Sequence, residues 1–280
     1  MHSLLVAALL GCEDKIPAAL SAKENRKDGS LLKQIPAGTY PIGSEKGNAD
    51  EAPVLQRTVA SFWIAEAEVT HEQYARFLNA KAWTRSKVQR WIGVRGDLPR
   101  PSEIIFTGRR YRARYGYEKY PVFTVSYLGA RAYCRWAGLR LPLEHEWEIA
   151  AKGGRADAVY PWGNEPPTAA HALFDKAWRD ARSPAPIVPV KSFPPNGYGL
   201  YDMAGSVYEW TKSQYLPYGV DVIPPFLKAS LDGRMVVRGG SWGSKSDELR
   251  VSFRRNYFKH TRSNFVGGLG FRCAKSEGQP

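Results

Sequence analysis

Hydrophobic residues spaced as on one face of a helix mark the clearest elements of this chain. In the first such segment, three of them follow at positions i, i+3 and i+4: Tyr74, Phe77 and Leu78. Just before them, Thr70 and Gln73 form the capping-box pattern that begins a helix. The sequence therefore predicts a helix over residues 71–80, and we expect His71, in its first turn, to be exposed.

Two further helices are predicted in the middle of the chain. Residues 126–138 begin with Ser126, a good N-cap, and end with Gly138, which suits the position after a helix. Residues 144–152 carry glutamates in the first turns, where the helix dipole favours acidic side chains. Leu143 offers no capping oxygen to this last helix, and we expect its absence to cost about 1 kcal/mol.

Short alternating runs predict strands outside these helices. Residues 35–43 alternate apolar and turn-forming residues as a hairpin-edge strand does, and residues 58–64 (TVASFWI) are typical of a second strand. Residues 81–120 are irregular, and arginine alternates with tyrosine over residues 109–117. This alternation favours a solvated hairpin, although it would also suit stacking on a planar ligand or pairing with anions.

One loop-rich segment, residues 196–210 (NGYGLYDMAGSVYEW), interrupts this pattern. It combines three glycines with four aromatic side chains, which indicates a loop packed inward whose backbone groups must find partners there. Asp202 and Glu209 in such a place would need a donor, a cation or a metal. The segment is either an irregular core loop or the frame of a calcium-type oxygen site built on Glu209.

Composition and charge narrow the class of protein. The chain has 280 residues, 43% hydrophobic and 12% aromatic with nine tryptophans, which suits a globular fold held together by aromatic packing of loops. The formal net charge of +13 favours anionic surroundings such as a phospholipid surface, an acidic ligand or nucleic acid, although solvated surface charge is the simpler interpretation. No zinc-finger spacing, basic zipper or RNP-like run occurs, which argues against nucleic acid as the partner.

The N-terminal residues predict export. Residues 1–12 (MHSLLVAALLGC) hold an apolar stretch too short to span a bilayer and resemble a bacterial signal with a lipobox, in which Cys12 is lipidated. Residues 13–30 are polar and rich in lysine and alanine, as in a tether. We therefore expect a periplasmic or envelope-anchored lipoprotein whose folded domain spans residues 31–275.

Two cysteines remain once the lipobox cysteine is set aside. Cys134 lies on the second predicted helix and Cys273 lies near the C-terminus. In an oxidising compartment they could close a loop of roughly 140 residues, worth about 5 kcal/mol in the chain-entropy model. Two unrelated buried thiols are the alternative.

Seven motifs follow one another along the chain. They are IPAGTYPIGS (35–44), EVTHEQYARF (68–77), PVFTVSYLGARAYCRWAGLRLPLEHEWEIAAKGG (121–154), YPWG (160–163), PPNGYGLYDMAGSVYEW (194–210), RGGSW (238–242) and GFRC (270–273). Together they resemble the formylglycine-generating enzyme family, which includes the sulfatase-modifying factors, the C-terminal domain of ergothioneine sulfoxide synthases and a pyoverdine-maturation protein. The resemblance implies a single α+β domain related to C-type lectins, with little regular secondary structure.

The resemblance also implies a disulfide and a chemistry. The family pairs the cysteines of its AYC and GFRC elements, here Cys134 and Cys273. The family's enzyme binds copper through two cysteines after RGGS and uses oxygen to oxidise a substrate cysteine. Those positions fall at about Ser244 and Leu249 here, and neither side chain suits copper(I), which prefers thiolates. Formylglycine generation by that mechanism is therefore not expected.

A calcium site is the cofactor that the resemblance leaves open. The family's GNVWEW turn holds calcium through backbone oxygens and its glutamate, which corresponds to Glu209 here. Ser206 stands where the family has asparagine and offers a weaker oxygen ligand. We expect any calcium to be held by these two residues.

Candidate site residues lie between RGGSW and GFR. The candidates for catalysis are Ser244, Asp247 and Glu248. The two carboxylates could act as general bases or hold a metal, although adjacent acidic residues are also common in exposed turns. The candidates for a ligand pocket are Trp242, Arg250 and Arg254.

Two functions fit these candidates. The first is a maturation or oxidation enzyme that acts outside the cytoplasm on a small molecule or peptide, for example a siderophore chromophore as in pyoverdine maturation. The second is a noncatalytic ligand- or protein-binding lipoprotein with a C-type-lectin-like fold. Nucleic-acid binding ranks last, and it would show steep salt dependence.

Overall fold

Short strands, four α-helices and long loops make up the residues that the computed structural model describes, which are 21–80, 83–94, 101–177, 185–220, 231–262 and 268–278. The helices are α1 (His71–Asn79), α2 (Arg85–Trp91), α3 (Tyr127–Trp136) and α4 (Glu144–Ala151). The strands are β1 (Ala22–Glu24), β2 (Leu31–Ile35), β3 (Gly38–Ile42), β4 (Leu55–Val59), β5 (Phe62–Ala65), β6 (Ile104–Phe106), β7 (Tyr111–Ala113), β8 (Val207–Gln214), β9 (Arg234–Arg238), β10 (Arg255–Phe258), β11 (Gly268–Gly270) and β12 (Ala274–Ser276). This is the α+β domain with little regular structure that the sequence predicts.

Two four-stranded sheets form the frame. The first has the order β1-β2-β5-β12 and is antiparallel throughout. The second has the order β10-β9-β8-β11, in which β11 runs parallel to β8. Two hairpins, β3–β4 and β6–β7, complete the strands of the described residues. The C-terminal residues join the two sheets, since β11 belongs to one and β12 to the other.

The predicted helices are confirmed together with their capping. Thr70 Oγ1 accepts a hydrogen bond from the Gln73 amide, so the capping box before α1 is present. Before α4, the missing N-cap oxygen is replaced from elsewhere in the chain. Ser213 Oγ accepts the Glu144 amide hydrogen bond at 2.9 Å, which compensates for the capping oxygen that Leu143 lacks.

Three local expectations are wrong. Residues 81–120, expected to be irregular, contain α2, which begins after the N-cap residue Thr84. His71 is fully buried, because the first turn of α1 packs against the loop before α3 and the imidazole meets the Phe123 ring edge-on. The single strand expected over residues 58–64 is two strands, β4 ending at Val59 and β5 beginning at Phe62. β4 pairs with β3, whereas β5 pairs with β2 and β12, so the chain changes partners between them.

The folded domain also begins earlier than expected. Residues 21–30 were expected to belong to a tether, yet β1 pairs with β2, and Asp28 is buried and accepts a hydrogen bond from the Tyr133 hydroxyl at 2.9 Å. Polar composition misleads here because β1 is an edge strand whose side chains are all exposed. Residues 1–20, with the predicted lipobox and Cys12, lie outside the described residues. No helix within the described ranges is long and apolar enough to cross a membrane.

An aromatic core and one disulfide fix the helices to the C-terminal segment. The Tyr133 ring on α3 lies 5.4 Å from Phe271 and 5.6 Å from Phe77, centroid to centroid. Beside it, Cys134 and Cys273 form the disulfide, with 5.7 Å between their Cα atoms. The pairing implied by the family resemblance is confirmed.

Residues 196–210 form an irregular loop inside the core. Asn196 organises it, because its Oδ1 accepts hydrogen bonds from the Tyr198 and Leu200 amides and its Nδ2 donates to carbonyls at the end of α4. Gly205 has φ +75°, and a Cβ there would lie 2.3 Å from the Leu173 carbonyl oxygen. Only glycine fits such a close approach.

Candidate functional site

A chain of hydrogen bonds beside the RGGSW loop runs from the core toward the surface. Ser244, which is fully buried, donates to the Tyr208 hydroxyl oxygen at 2.8 Å. Arg255 Nη1 donates to the same oxygen and to Glu248 Oε1, each at 2.9 Å. The Glu248 and Arg255 side chains are 16% and 34% exposed, so solvent reaches this end. We call these four residues the polar relay.

Local backbone geometry positions the relay. Gly239 and Gly240 both have positive φ, and a Cβ on Gly240 would lie 2.8 Å from the Leu249 side chain, so the turn after β9 packs tightly on the short 3-10 helix Ser246–Leu249. The Ser241 amide then donates to Ser244 Oγ at 3.1 Å. Tyr208 projects from β8 and Arg255 begins β10 in the same sheet.

Burial determines the protonation state of the tyrosine. Desolvation raises the pKa of Tyr208, and the hydrogen bond from Ser244 and the positive charge of Arg255 oppose that shift only in part. Tyr208 therefore stays a neutral phenol at physiological pH. The neutral Tyr208 hydroxyl accepts hydrogen bonds from Ser244 and Arg255. A change in the position or protonation of one relay residue can therefore affect the next residue.

Among the residues that the sequence proposes for the site, only Ser244 and Glu248 belong to the relay. Asp247 is exposed on the 3-10 helix. Arg250 donates to Glu51 at 2.6 Å, and Arg254 makes a two-pronged ion pair with Glu144 at 2.6 and 2.9 Å. Both arginines are thus paired within the protein. The catalytic and ligand-binding roles of these residues stay predictions.

Trp242 lies behind the relay and not in an open pocket. It is 2% exposed, and its ring meets Phe123 edge-on with 5.4 Å between centroids. A Cβ on Gly268 would lie 2.5 Å from the indole, so the start of β11 is pressed against it. Trp242 therefore forms an apolar wall.

Two relay members, Tyr208 and Arg255, were missed by sequence reasoning. The available signal was Tyr208, which stands where the family motif has tryptophan. A buried tyrosine needs a hydrogen-bond partner for its hydroxyl, so its presence predicts a polar neighbour. Arg255 carried no comparable signal, because one relay partner, Tyr208, lies 47 residues away and the other, Glu248, lies seven residues away in a different element.

The residues at the family's copper positions do not fit copper. Ser244 Oγ is engaged with Tyr208 and the Ser241 amide. Leu249 is 1% exposed in an apolar cluster with Ala172 and Ala204. Copper(I) needs soft thiolate ligands, and these side chains supply none.

Glu209 is held by an ion pair. Arg272 donates to both of its carboxylate oxygens, with distances from 2.8 to 3.0 Å, and Trp147 Nε1 donates to Oε2 at 2.9 Å. Both Glu209 and Arg272 are buried. A carboxylate already shared by a guanidinium and an indole N–H does not fit a calcium ligand as arranged, so calcium at Glu209 and Ser206 stays an untested prediction. Across the described residues, no group of three His, Cys, Asp or Glu side chains is arranged to hold a metal ion.

Two more carboxylates are buried beside this ion pair. Glu68 and Asp202 are 3% and 7% exposed, and three of their four carboxylate oxygens have no hydrogen-bond partner among the described residues. Desolvation raises the pKa of Asp202 to about 6, and desolvation together with the Asp202 charge raises the pKa of Glu68 well above its usual range. A proton shared between them would satisfy two of these three oxygens, as in other buried carboxylate pairs.

The fold and the site motifs define a formylglycine-generating-enzyme-like domain related to C-type lectins. A family model described as "Sulfatase-modifying factor enzyme 1-like domain" matches residues 17–277, and the chain belongs to this family.

Three relatives illustrate the range of the family. The chain is 34% identical to "Inactive C-alpha-formylglycine-generating enzyme 2" of Bos taurus, with 88% of each chain covered. It is 36% identical to "Serine/threonine-protein kinase pkn1" of Chlamydia pneumoniae over 98% of its own length, but it spans only 43% of that protein. The solved structure of PvdO from Pseudomonas aeruginosa superposes with a TM-score of 0.67 and 25% identity, covering 93% of this chain and 99% of PvdO.

Proposed function

We propose that this chain is an exported maturation enzyme that oxidises a small molecule or peptide outside the cytoplasm and does not generate formylglycine through copper. The polar relay is the observation that carries the proposal. It brings a carboxylate, a guanidinium, a phenol and a hydroxyl into one hydrogen-bonded line at the family's site, with the carboxylate at the solvent end. The chain also shares its fold with PvdO. Siderophore chromophore maturation is the example of this class that the family resemblance suggests.

The reaction class is a two-electron oxidation. The substrate loses two hydrogens and becomes unsaturated, and dioxygen takes up two electrons and two protons to give hydrogen peroxide. Glu248 would accept the substrate proton as a general base. Arg255, hydrogen-bonded to Glu248, would hold the carboxylate in place and attract an anionic substrate.

A carboxamide at position 248 tests this role. With a reduced catechol-type siderophore precursor in air, we expect Glu248→Gln to lower the rate of peroxide and chromophore formation about 100-fold, as loss of a general base does. Glu165→Gln is the matched control, because it makes the same change at an exposed glutamate outside the polar relay. Full activity of Glu248→Gln at an unchanged melting temperature would remove Glu248 from the mechanism.

A noncatalytic binding protein is the second candidate. The observation that favours it is that Glu248, Arg250 and Arg254 are all paired within the protein. It predicts saturable binding of the same precursor in air with no peroxide and no chromophore change. Peroxide formation in step with substrate loss would exclude it.

Export and lipidation are part of the proposal. We expect the chain in the membrane fraction of the envelope, and we expect Cys12→Ser to release it. A chain that stays in the cytoplasm in both forms would contradict export.

A further inference from the structure

A groove of about 230 Å³ lies between α2 and α3, away from the polar relay. Four cationic side chains line it, from both helices: Lys87, Arg90, Arg131 and Arg135. Its apolar floor includes Trp91, which is 7% exposed. None of the lining residues is acidic. We call this feature the cationic groove.

The four cations are available to a ligand. All are exposed, and none forms an ion pair within the described residues, in contrast to the arginines around the polar relay. The Lys87 ammonium lies 4.6 Å from the Trp83 ring centroid, which positions its charge without neutralising it. Arg131 and Arg135 lie one turn apart on α3, where two like charges repel in the absence of an anion. The arrangement costs stability unless the groove meets negative charge.

The N-terminal segment enters the fold beside this groove. Asn25 Nδ2 donates to the Ala137 carbonyl at 3.1 Å, at the end of α3. The Lys27 ammonium lies 5.5 Å from the ring centroid of Trp136, which follows Ala132 of the groove by one helical turn. The residues between position 12 and position 21 can extend over at most about 30 Å. A lipid on Cys12 would therefore keep the groove close to the membrane surface.

We propose that the cationic groove binds anionic phospholipid headgroups and holds the domain against the membrane. The inference rests on the exported, lipid-anchored location proposed above and not on the oxidation chemistry. A lipid on Cys12 tethers the chain without orienting the folded domain, and a basic patch beside the tether adds the electrostatic attraction to anionic lipids that holds the domain against the surface. The planar guanidinium of each arginine can donate two hydrogen bonds at once to a headgroup phosphate.

Vesicle sedimentation of the full chain carrying Cys12→Ser tests the groove without the lipid. We expect binding to phosphatidylcholine vesicles that contain about one third phosphatidylglycerol and little binding to phosphatidylcholine alone. The double variant Arg131→Gln/Arg135→Gln should reduce the partition coefficient about 30-fold, since each cation near an anionic surface contributes roughly fivefold. Lys87→Gln/Arg90→Gln, on the other helix, should act in the same direction.

The matched control removes the same charge elsewhere. Arg109 and Arg110 are exposed in the turn of the β6–β7 hairpin, and Arg109→Gln/Arg110→Gln should leave the partition coefficient nearly unchanged. Far-ultraviolet circular dichroism and the melting temperature confirm folding of each variant.

Four results would overturn the proposal. They are equal binding to neutral and anionic vesicles, an equal loss in the control variant, binding of inorganic phosphate without vesicle binding, and tighter binding of a single-stranded oligonucleotide than of vesicles at the same salt concentration. Since the chain in this assay is unlipidated and no turnover is measured, its outcome is independent of the Glu248 and Cys12 experiments.

Discussion

Replacing Asp202 by asparagine tests whether the two buried carboxylates share a proton. Asn keeps the shape of the side chain, tolerates the positive φ of 54° at this position, and can still accept the Lys191 amide hydrogen bond through its oxygen. Its NH₂ group would donate permanently to Glu68, where the wild-type chain needs a bound proton.

The magnitude follows from the pKa of Asp202. Burial raises it from 3.8 to about 6 in the folded chain, so the folded state binds more protons than the unfolded state between those values. The free energy of unfolding therefore falls as the pH rises from below 3.8 to above 6. The total decrease is about 3 kcal/mol. The asparagine variant cannot lose a proton there. We expect it to gain roughly 2.4 kcal/mol relative to wild type between pH 4 and pH 7.5, because at pH 4 the Asp202 carboxyl of the unfolded chain is already partly ionised.

Urea unfolding of the oxidised protein at the two pH values measures this difference. Comparing variant with wild type at each pH cancels the contributions of other titrating groups, and Asp157→Asn, at an exposed site, is the control with an ordinary carboxylate. The reasoning is refuted if Asp202→Asn changes the free energy of unfolding by the same amount at both pH values.

Two further predictions concern buried charge. Glu209→Gln leaves the Arg272 guanidinium buried without its counter-ion, so we expect the free energy of unfolding in urea to fall by about 3–5 kcal/mol. A large rise of the wild-type melting temperature on addition of calcium would contradict the ion-pair assignment. Burial lowers the pKa of His71 to about 3, so wild-type stability falls as pH drops from 6.5 toward 3. His71→Gln should therefore lose about 2 kcal/mol less than wild type between pH 7 and pH 5, and equal losses would show that His71 titrates normally.

Local signals in the sequence were sufficient for the helices. The spacing of Tyr74, Phe77 and Leu78 and the capping residues around them depend on neighbours within one or two turns, so they could be recognised without the fold. The break between β4 and β5 could not, because residues 60 and 61 include no glycine, proline, asparagine or aspartate to mark a turn, and the change of strand partner is a long-range event.

The site was harder to predict for the same reason. Arg250 and Arg254 are typical of a ligand pocket in the sequence, but their partners Glu51 and Glu144 lie 199 and 110 residues away. Pairing over such separations has no local pattern. Family motifs pointed to the loop after β9, whereas the identity of the residues that face one another there required the structure.

The C-terminal segment has a consequence for how the protein is made. β11 and β12 complete one sheet each, and Cys273 between them closes the disulfide to α3. Neither sheet can be finished until residues 268–276 have left the ribosome, and contacts that close such long loops form slowly. Until these residues are made, each sheet lacks one strand and Cys134 lacks its disulfide partner. The frame of the domain is therefore completed late and in one step, by nine consecutive residues.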